Sequence, residues 1–172
     1  LPTTHPIVAD IPHLEAAAQN FDGITYAKGA STLKQLVSYV GFDTFIEAAR
    51  VYFKRFAWGN TSLQDFLDVL NEVSGRDMQT WSQAWLQTSG LSTLGTRRVY
   101  REDGKLQDLY LTQQLPDTQP AGIGRPHVVK LETFILQEGK LVSTGTLSLE
   151  YPADPIAEYR VSLPQEHKKT VG

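Results

Sequence analysis

The chain has 172 residues, and its 16 lysines and arginines stand against 19 aspartates and glutamates, giving a formal net charge of −3. Apolar residues make up 41% of the sequence, which is typical of a globular protein, and the length allows one large domain or two small ones. Collagen-like, coiled-coil and disordered proteins are excluded, and the mild negative charge argues against a nucleic-acid partner.

No apolar stretch approaches the ~18 residues that a membrane-spanning helix needs, and the N-terminus lacks the features of a signal peptide. We therefore expect no membrane partner. The sequence contains no cysteine, which excludes disulfides and thiolate chemistry and is compatible with a reducing compartment. We expect a cytoplasmic protein.

The first twelve residues are expected to be extended, because Pro2, Pro6 and Pro12 are incompatible with a helix interior. The chain begins with Leu1 rather than methionine, and we expect it to be a piece of a longer protein. Motifs that this sequence lacks can then lie upstream.

From Tyr26 to about Gly90 the apolar residues recur at helical spacing and predict four helices joined by short connections. The residues expected to face the core are Ala30, Leu33, Leu36, Val37 and Val40 in the first helix, Phe45, Ala48, Ala49, Tyr52 and Phe56 in the second, Leu63, Phe66, Leu67, Leu70 and Val73 in the third, and Met78, Trp81 and Trp85 in the last. Short connections imply antiparallel neighbours, so this half should form a compact helical bundle or superhelix.

Local signals predict the helix boundaries. Capping-box spacing places the start of the second helix at Thr44 with Glu47, and that of the third at Thr61 with Gln64. The last helix is expected to start near Asp77. Glycines are expected to end three of the helices, at Gly41, Gly75 and Gly90.

After about Gly95 the pattern changes to alternating and β-branched residues, with turn signals at Asp103-Gly104 and Glu138-Gly139. Five strands are predicted, near residues 97–101, 105–114, 127–137, 140–150 and 157–163. The sequence thus predicts an α+β protein, in which a helical domain of residues 1–94 is followed by a small antiparallel β-sandwich of residues 95–172.

Metal and nucleophile motifs are weak when judged on residue types alone. His5, Asp10 and His13 could converge on a metal, but they lie among prolines, and solvated loop side chains are the better description. His127 and His167 lie far apart in the β half. There is no H-E-x-x-H motif and no nucleophile elbow, so these residues define neither a metal site nor a catalytic triad.

The segment of residues 20–30, NFDGITYAKGA, lies where the extended stretch meets the first helix. It resembles the zinc aminopeptidase N family of gluzincin metallopeptidases, whose catalytic domain carries an aromatic-Asp-x-x-x-Tyr-x-Lys-Gly-Ala signature at this junction. Further matches in order and spacing are His5-Pro6-Ile7, residues 33–40, Tyr52-Phe53, Asn60-Thr61, Leu67, Ser74-Gly75 and residues 81–90. The resemblance is strong over residues 4–94 and weaker beyond. It implies the C-terminal helical lobe of a thermolysin-like catalytic domain, followed by the family's β-sandwich.

The resemblance implies a catalytic role for Tyr26, whose hydroxyl would donate a hydrogen bond to the scissile carbonyl oxygen as it becomes an oxyanion beside zinc. It places Phe21 in the pocket for the first substrate side chain, although core packing explains this aromatic nearly as well. Lys28 also matches the signature, and for it we expect only an ion pair or a helix-terminus contact. Met78, Trp81 and Trp85 are expected to be core residues rather than a binding stripe.

The family's zinc ligands, its general-base glutamate and its amine-binding motif precede the matched region, and none of them occurs in these 172 residues. We therefore expect no metal ligand in this chain. The parent enzyme would use zinc to hydrolyse peptides that have a free N-terminus, with the rest of the catalytic domain as this chain's partner, and the fragment alone would be inactive. The alternative is a noncatalytic interaction module in which the signature survives only as packing.

Overall fold

The computed structural model describes residues 5–8, 11–12, 15–16, 23–119, 122–154 and 157–162. Within these ranges a helical half precedes a β half, which confirms the predicted α+β class. No helix in this described part of the chain is long and apolar enough to cross a membrane.

The helical half opens with a π-helical turn, Ile24–Lys28, that runs directly into the first α-helix. The four α-helices of residues 23–119 are α1 (Gly29–Val40), α2 (Phe42–Arg55), α3 (Leu63–Ser74) and α4 (Met78–Trp85). Their shared core is formed by Leu36, Val40, Ala48, Leu67, Val69, Leu70, Met78 and Trp81. Met78 and Trp81 are thus core residues, as expected from their helical spacing.

Helix α1 presents a different stripe to the core from the one predicted. Its buried residues are Thr32, Leu36 and Val40, spaced four apart, whereas Ala30 and Leu33 are exposed. The prediction for Ala30 and Leu33 was wrong. Both residues are apolar, but they lie outside the row of positions 32, 36 and 40 that faces the core. Thr32 takes the buried position on the same side of the helix as Leu36.

Gly41 alone connects α1 to α2. Its φ of 90° and ψ of 143° differ from the left-handed helical conformation expected there, but the positive φ still favours glycine. Because the chain turns within this one residue, α2 begins at Phe42, and Thr44 and Glu47 lie inside the helix. The predicted capping box at these two residues is therefore wrong.

The capping box of α3 is formed by Ser62 and Asp65, each one residue later in the sequence than the predicted pair. The Ser62 hydroxyl accepts from the Asp65 backbone N–H at 3.3 Å, and the Asp65 carboxylate accepts from the Ser62 N–H at 2.7 Å. These bonds lower the pKa of Asp65. The predicted pair is engaged elsewhere, since the Thr61 hydroxyl contacts that of Tyr52 and the Gln64 amide donates to Asp68 at 2.6 Å.

The end of α3 and the start of α4 lie close to their predicted positions, whereas the end of α4 does not. Gly75 adopts the predicted left-handed conformation after α3, with φ of 65° and ψ of 15°. Asp77 caps the start of α4 by accepting from the Thr80 N–H at 3.0 Å, close to the predicted start. However, α4 ends at Trp85 rather than near Gly90, and the Arg125 side chain donates to the carbonyl oxygens of Ala84 and Gly90.

The β half forms two antiparallel sheets in the described residues. Strands β1 (Thr93–Tyr100), β2 (Leu106–Gln114) and β5 (Glu158–Val161) form one sheet in the order β1-β2-β5, and β3 (His127–Gln137) pairs with β4 (Lys140–Tyr151) in the other. Leu106, Leu109, Leu111, Tyr151 and Val161 are buried between the sheets, with Val129, Leu131, Leu147 and Leu149 packed against them. The two sheets therefore share one core, as in a β-sandwich.

Both predicted hairpin turns occur. Glu138 and Gly139 have φ of 50° and 77° and join β3 to β4, the conformation of a type I′ turn. Gly104 also has a positive φ, between β1 and β2. The strands lie close to their predicted positions, although β1 begins four residues earlier than expected. The division of the chain at residues 94 and 95 stays a prediction.

Candidate functional site

Tyr26 lies at the centre of the π-helical turn, three residues before α1 begins at Gly29. The Gly29 N–H donates to the carbonyl oxygens of both Thr25 and Tyr26, which closes the turn onto the helix. The Tyr26 side chain is 64% exposed. Single π-helical turns are often found at functional sites. Phe21 lies outside the described residues.

Lys28 is the last residue of the π-helical turn, and it points toward the opposite end of the helical half. Its ammonium donates to the Thr88 carbonyl oxygen at 3.0 Å, three residues beyond the end of α4. Burial lowers the pKa of Lys28, and the positive charge of Arg125 lowers it further. The side chain thus donates to a backbone carbonyl oxygen in the segment that follows α4.

Arg125, which precedes β3, is 2% exposed, and sequence reasoning missed it. Its guanidinium donates to the carbonyl oxygens of Ala84 (3.0 Å), Ser89 (3.1 Å) and Gly90 (3.1 Å) and to the hydroxyls of Thr88 (2.7 Å) and Ser92 (3.2 Å). Burial lowers the pKa of this group. No carboxylate is paired with it in the described residues, so its charge is balanced by dipoles at the end of α4.

The backbone of Arg125 is held as firmly as its side chain. The Gln113 side chain accepts from the Arg125 N–H at 3.1 Å and donates to its carbonyl oxygen at 2.9 Å. Gln113 is itself buried in β2. The guanidinium is therefore presented to the helical half from a fixed position. No local sequence signal could have found this contact, because its partners lie 33 to 41 residues away.

His127 follows closely and is 7% exposed. Its Nε2 atom has no hydrogen-bond partner within the residues that the structure describes. Burial, with a further contribution from the charge of Arg125, lowers the pKa of His127 to about 4. The imidazole is therefore neutral at pH 7.

A cleft of about 710 Å³ separates α1 from the start of β3. Lys28 and Arg125 line it together with Ser31, Gln35, His127 and Lys130, and none of the described lining residues is acidic. Ala27 also lines the cleft, whereas Tyr26 does not. The exposed tyrosine is therefore not part of the cleft wall to which Lys28 and Arg125 contribute.

Zinc ligands were not expected in this chain. In the ranges that the structure describes, no group of three or more His, Cys, Asp and Glu side chains is placed to hold a metal ion. His5 lies with Nδ1 2.8 Å from the Pro6 carbonyl oxygen, while Asp10, His13 and His167 lie outside the described ranges. The described residues therefore do not fit a zinc site of their own.

Comparison with known proteins gives a consistent assignment. The model of the peptidase family M1 domain matches residues 1–88. Aminopeptidase N of Streptomyces lividans is 47% identical over 156 residues, which cover 87% of this chain and 18% of that protein. Aminopeptidase M1-A of Oryza sativa subsp. japonica is 34% identical over 104 residues, covering 60% of this chain and 12% of that protein.

A solved structure shows the same fold. Legionella pneumophila aminopeptidase A, crystallised in complex with aspartic acid, superposes with a TM-score of 0.62 over 83% of this chain and 16% of that one, at 20% identity. The chain spans less than a fifth of the length of each of these relatives. The resemblance inferred from the Tyr26 signature is confirmed. Because the family model matches more than half of its residues, the chain belongs to the peptidase M1 family.

Proposed function

We propose that this chain is part of a zinc-dependent aminopeptidase that removes N-terminal residues from peptides, and that Tyr26 contributes a hydrogen-bond donor to that reaction. Membership of the M1 family and the names of the curated relatives support the reaction class. The observation that carries the role of Tyr26 is the exposure of its side chain on a π-helical turn at the signature segment.

The chemistry of a phenol suits the proposed role. In peptide hydrolysis a water oxygen adds to the scissile carbonyl carbon, and negative charge builds on the carbonyl oxygen before the C–N bond breaks and the amine leaves. A phenol is a neutral O–H donor at neutral pH, so Tyr26 can donate to that oxygen without carrying charge into the site. An exposed ring can reach a substrate that a buried ring cannot.

The remaining groups are proposed to lie outside this chain. Zinc, bound by residues elsewhere in the parent protein, would activate the water and polarise the carbonyl. The rest of the catalytic domain and peptides with a free N-terminus are the proposed partners. By this proposal the chain alone neither binds catalytic zinc nor hydrolyses peptides. The pocket role of Phe21, the domain boundary after residue 94 and a cytoplasmic location belong to the same proposal.

The test is Tyr26→Phe in the full-length protein, assayed on an aminoacyl anilide. We expect kcat to fall by about 10²- to 10³-fold, the usual effect of removing one oxyanion donor, with zinc content and circular dichroism unchanged. Tyr100→Phe is the matched control, because Tyr100 is also an exposed tyrosine but lies on β1. Equal turnover in wild type and Tyr26→Phe would overturn the proposal and favour a noncatalytic interaction module.

A further inference from the structure

A buried arginine and a half-buried lysine from opposite halves of the chain meet at one threonine. Thr88 is buried; its hydroxyl accepts from Arg125 Nη2 at 2.7 Å and donates to the Ala84 carbonyl oxygen at 2.6 Å. Its carbonyl oxygen accepts from the Lys28 ammonium at 3.0 Å. Thr88 therefore links Arg125 of the β half to Lys28 of the π-helical turn.

The position of Thr88 depends on Arg125. The guanidinium binds the residues on both sides of Thr88, through the carbonyl oxygens of Ala84, Ser89 and Gly90. These residues follow or end α4, where helix N–H groups no longer satisfy the carbonyl oxygens. Without the guanidinium, this stretch would lose five hydrogen bonds, and the carbonyl oxygens of Ala84 and Ser89 would keep only the hydroxyl donors of Thr88 and Thr118.

Lys28 in turn restrains the turn that carries Tyr26. Lys28 lies two residues from Tyr26, and its half-buried side chain is held at the ammonium group by the hydrogen bond to the Thr88 carbonyl oxygen. Tyr26 and Lys28 lie on the same five-residue turn, so a shift of the backbone at Lys28 also moves the backbone from which the Tyr26 side chain extends. Displacing a reacting group by about 1 Å can lower an enzymatic rate by about 10²-fold.

We infer that Arg125, acting through Thr88 and Lys28, is a positioning residue that holds the Tyr26 turn in its catalytic orientation. The inference rests on the proposed function of Tyr26 and adds a contribution of the β half to the chemical step. Neither Arg125 nor Lys28 needs to touch the substrate.

The test uses the full-length protein and the variant Lys28→Met, which keeps the aliphatic stem but removes the donor to Thr88. We expect kcat to fall by about 10- to 100-fold while KM changes less than about threefold. Lys28→Arg keeps a cationic donor and should recover most of the loss. Lys130→Met is the matched control, because Lys130 lines the same cleft but takes no part in the contacts with Thr88. Its kcat should match that of the wild type.

A double-mutant cycle separates positioning from general destabilisation. In the Tyr26→Phe background, Lys28→Met should lower kcat by less than about twofold further, because the hydroxyl to be positioned is gone. Multiplicative losses would overturn the inference and leave the proposed function intact. If Tyr26→Phe alone has no effect, the proposed function fails, and the inference fails with it.

Thr88→Val tests the contact between Arg125 and Thr88 rather than the one between Lys28 and Thr88. It keeps the carbonyl oxygen that receives Lys28 but removes the hydroxyl that Arg125 binds. We expect a smaller fall in kcat than for Lys28→Met, again absent in the Tyr26→Phe background. Should Lys28→Met fail to fold, this variant decides alone, and an unchanged kcat in Thr88→Val would overturn the inference.

Discussion

Trp85 and His127 pack edge to face, with ring centroids 4.9 Å apart and ring planes at 76°. Trp85 is the last residue of α4 and His127 the first of β3, so this pair joins the helical half to the β half. The Trp85 indole also donates to the Pro126 carbonyl oxygen at 3.0 Å. The imidazole is thus enclosed by an aromatic ring on one side and has the Arg125 charge nearby.

This environment predicts that the protein loses stability in mild acid. The pKa of His127 is about 4 in the folded protein against 6.5 for an unperturbed histidine, so between these values the unfolded chain binds more protons. Stability therefore rises with pH across this window, and lowering the pH from 7 to 4 should cost about 2–3 kcal/mol through this residue. Urea denaturation at a series of pH values measures the effect.

His127→Phe isolates the contribution of the imidazole. The phenyl ring can keep the edge-to-face packing on Trp85, and no hydrogen bond of Nε2 is lost in the described residues. The variant should lose less stability than the wild type between pH 6.5 and 4. An NMR titration should find the His127 imidazole half protonated near pH 4, and a midpoint near 6.5 would contradict the prediction.

The observed capping box predicts which polar residue stabilises the start of α3. Ser62→Ala removes the oxygen that accepts from the Asp65 N–H and should lower the free energy of unfolding by about 1 kcal/mol. Gln64→Ala is the control, because Gln64 makes only a side-chain bond to Asp68 within the helix, typically worth about 0.3 kcal/mol. Denaturant midpoints for the two variants should fall in this order, and the reverse order would favour the box expected from the sequence.

A second contact between the two halves is the ion pair of Arg76 and Glu150. Arg76 Nη2 lies 2.5 Å from Glu150 Oε1, and its guanidinium also lies over the Tyr39 ring, 4.4 Å from the centroid. Because the glutamate is largely exposed, Glu150→Gln should cost less than about 1 kcal/mol. Arg76→Met should cost more, since it also removes the cation–π contact.

Salt separates these two effects of Arg76. At about 1 M NaCl the Debye length is only about 3 Å, so the cost of Glu150→Gln should shrink, whereas part of the Arg76→Met cost should persist. Unfolding curves at low and high salt provide the comparison. If the cost of Arg76→Met fell to that of Glu150→Gln at high salt, the contact with the Tyr39 ring would contribute nothing.

Much of the fold follows from signals that are local in sequence. Alternation with β-branched residues predicts β3 and β4 within one residue, because side-chain period and turn chemistry are properties of short segments. Gly75 ends α3 as expected for the same reason. The error at Thr61 arises because the neighbouring Ser62 takes the cap. The error at Thr44 arises because the one-residue connection at Gly41 starts α2 before it.

In the candidate site, too, the sequence identified one residue, Tyr26, but not another, Arg125. Tyr26 could be selected because its signature is contiguous, but the π-helical form of its turn depends on which carbonyl oxygen each N–H reaches, which composition does not reveal. Arg125 could not be found at all. Its partners are backbone carbonyl oxygens and hydroxyls rather than carboxylates, so no charge complementarity between distant segments marks the pairing.

The burial of Arg125 bears on how far the β half can be exchanged for another. The change from helical to strand periodicity near residue 94 suggests a seam at which modules could be recombined. Yet a replacement sandwich without a guanidinium at this point would leave the carbonyl oxygens of Ala84, Ser89 and Gly90 without these donors. Chimeras joined at that seam therefore need to retain the Arg125 segment, because only Ala84 would keep a donor from the helical half, the Thr88 hydroxyl, and an unsatisfied buried acceptor costs about 1–3 kcal/mol.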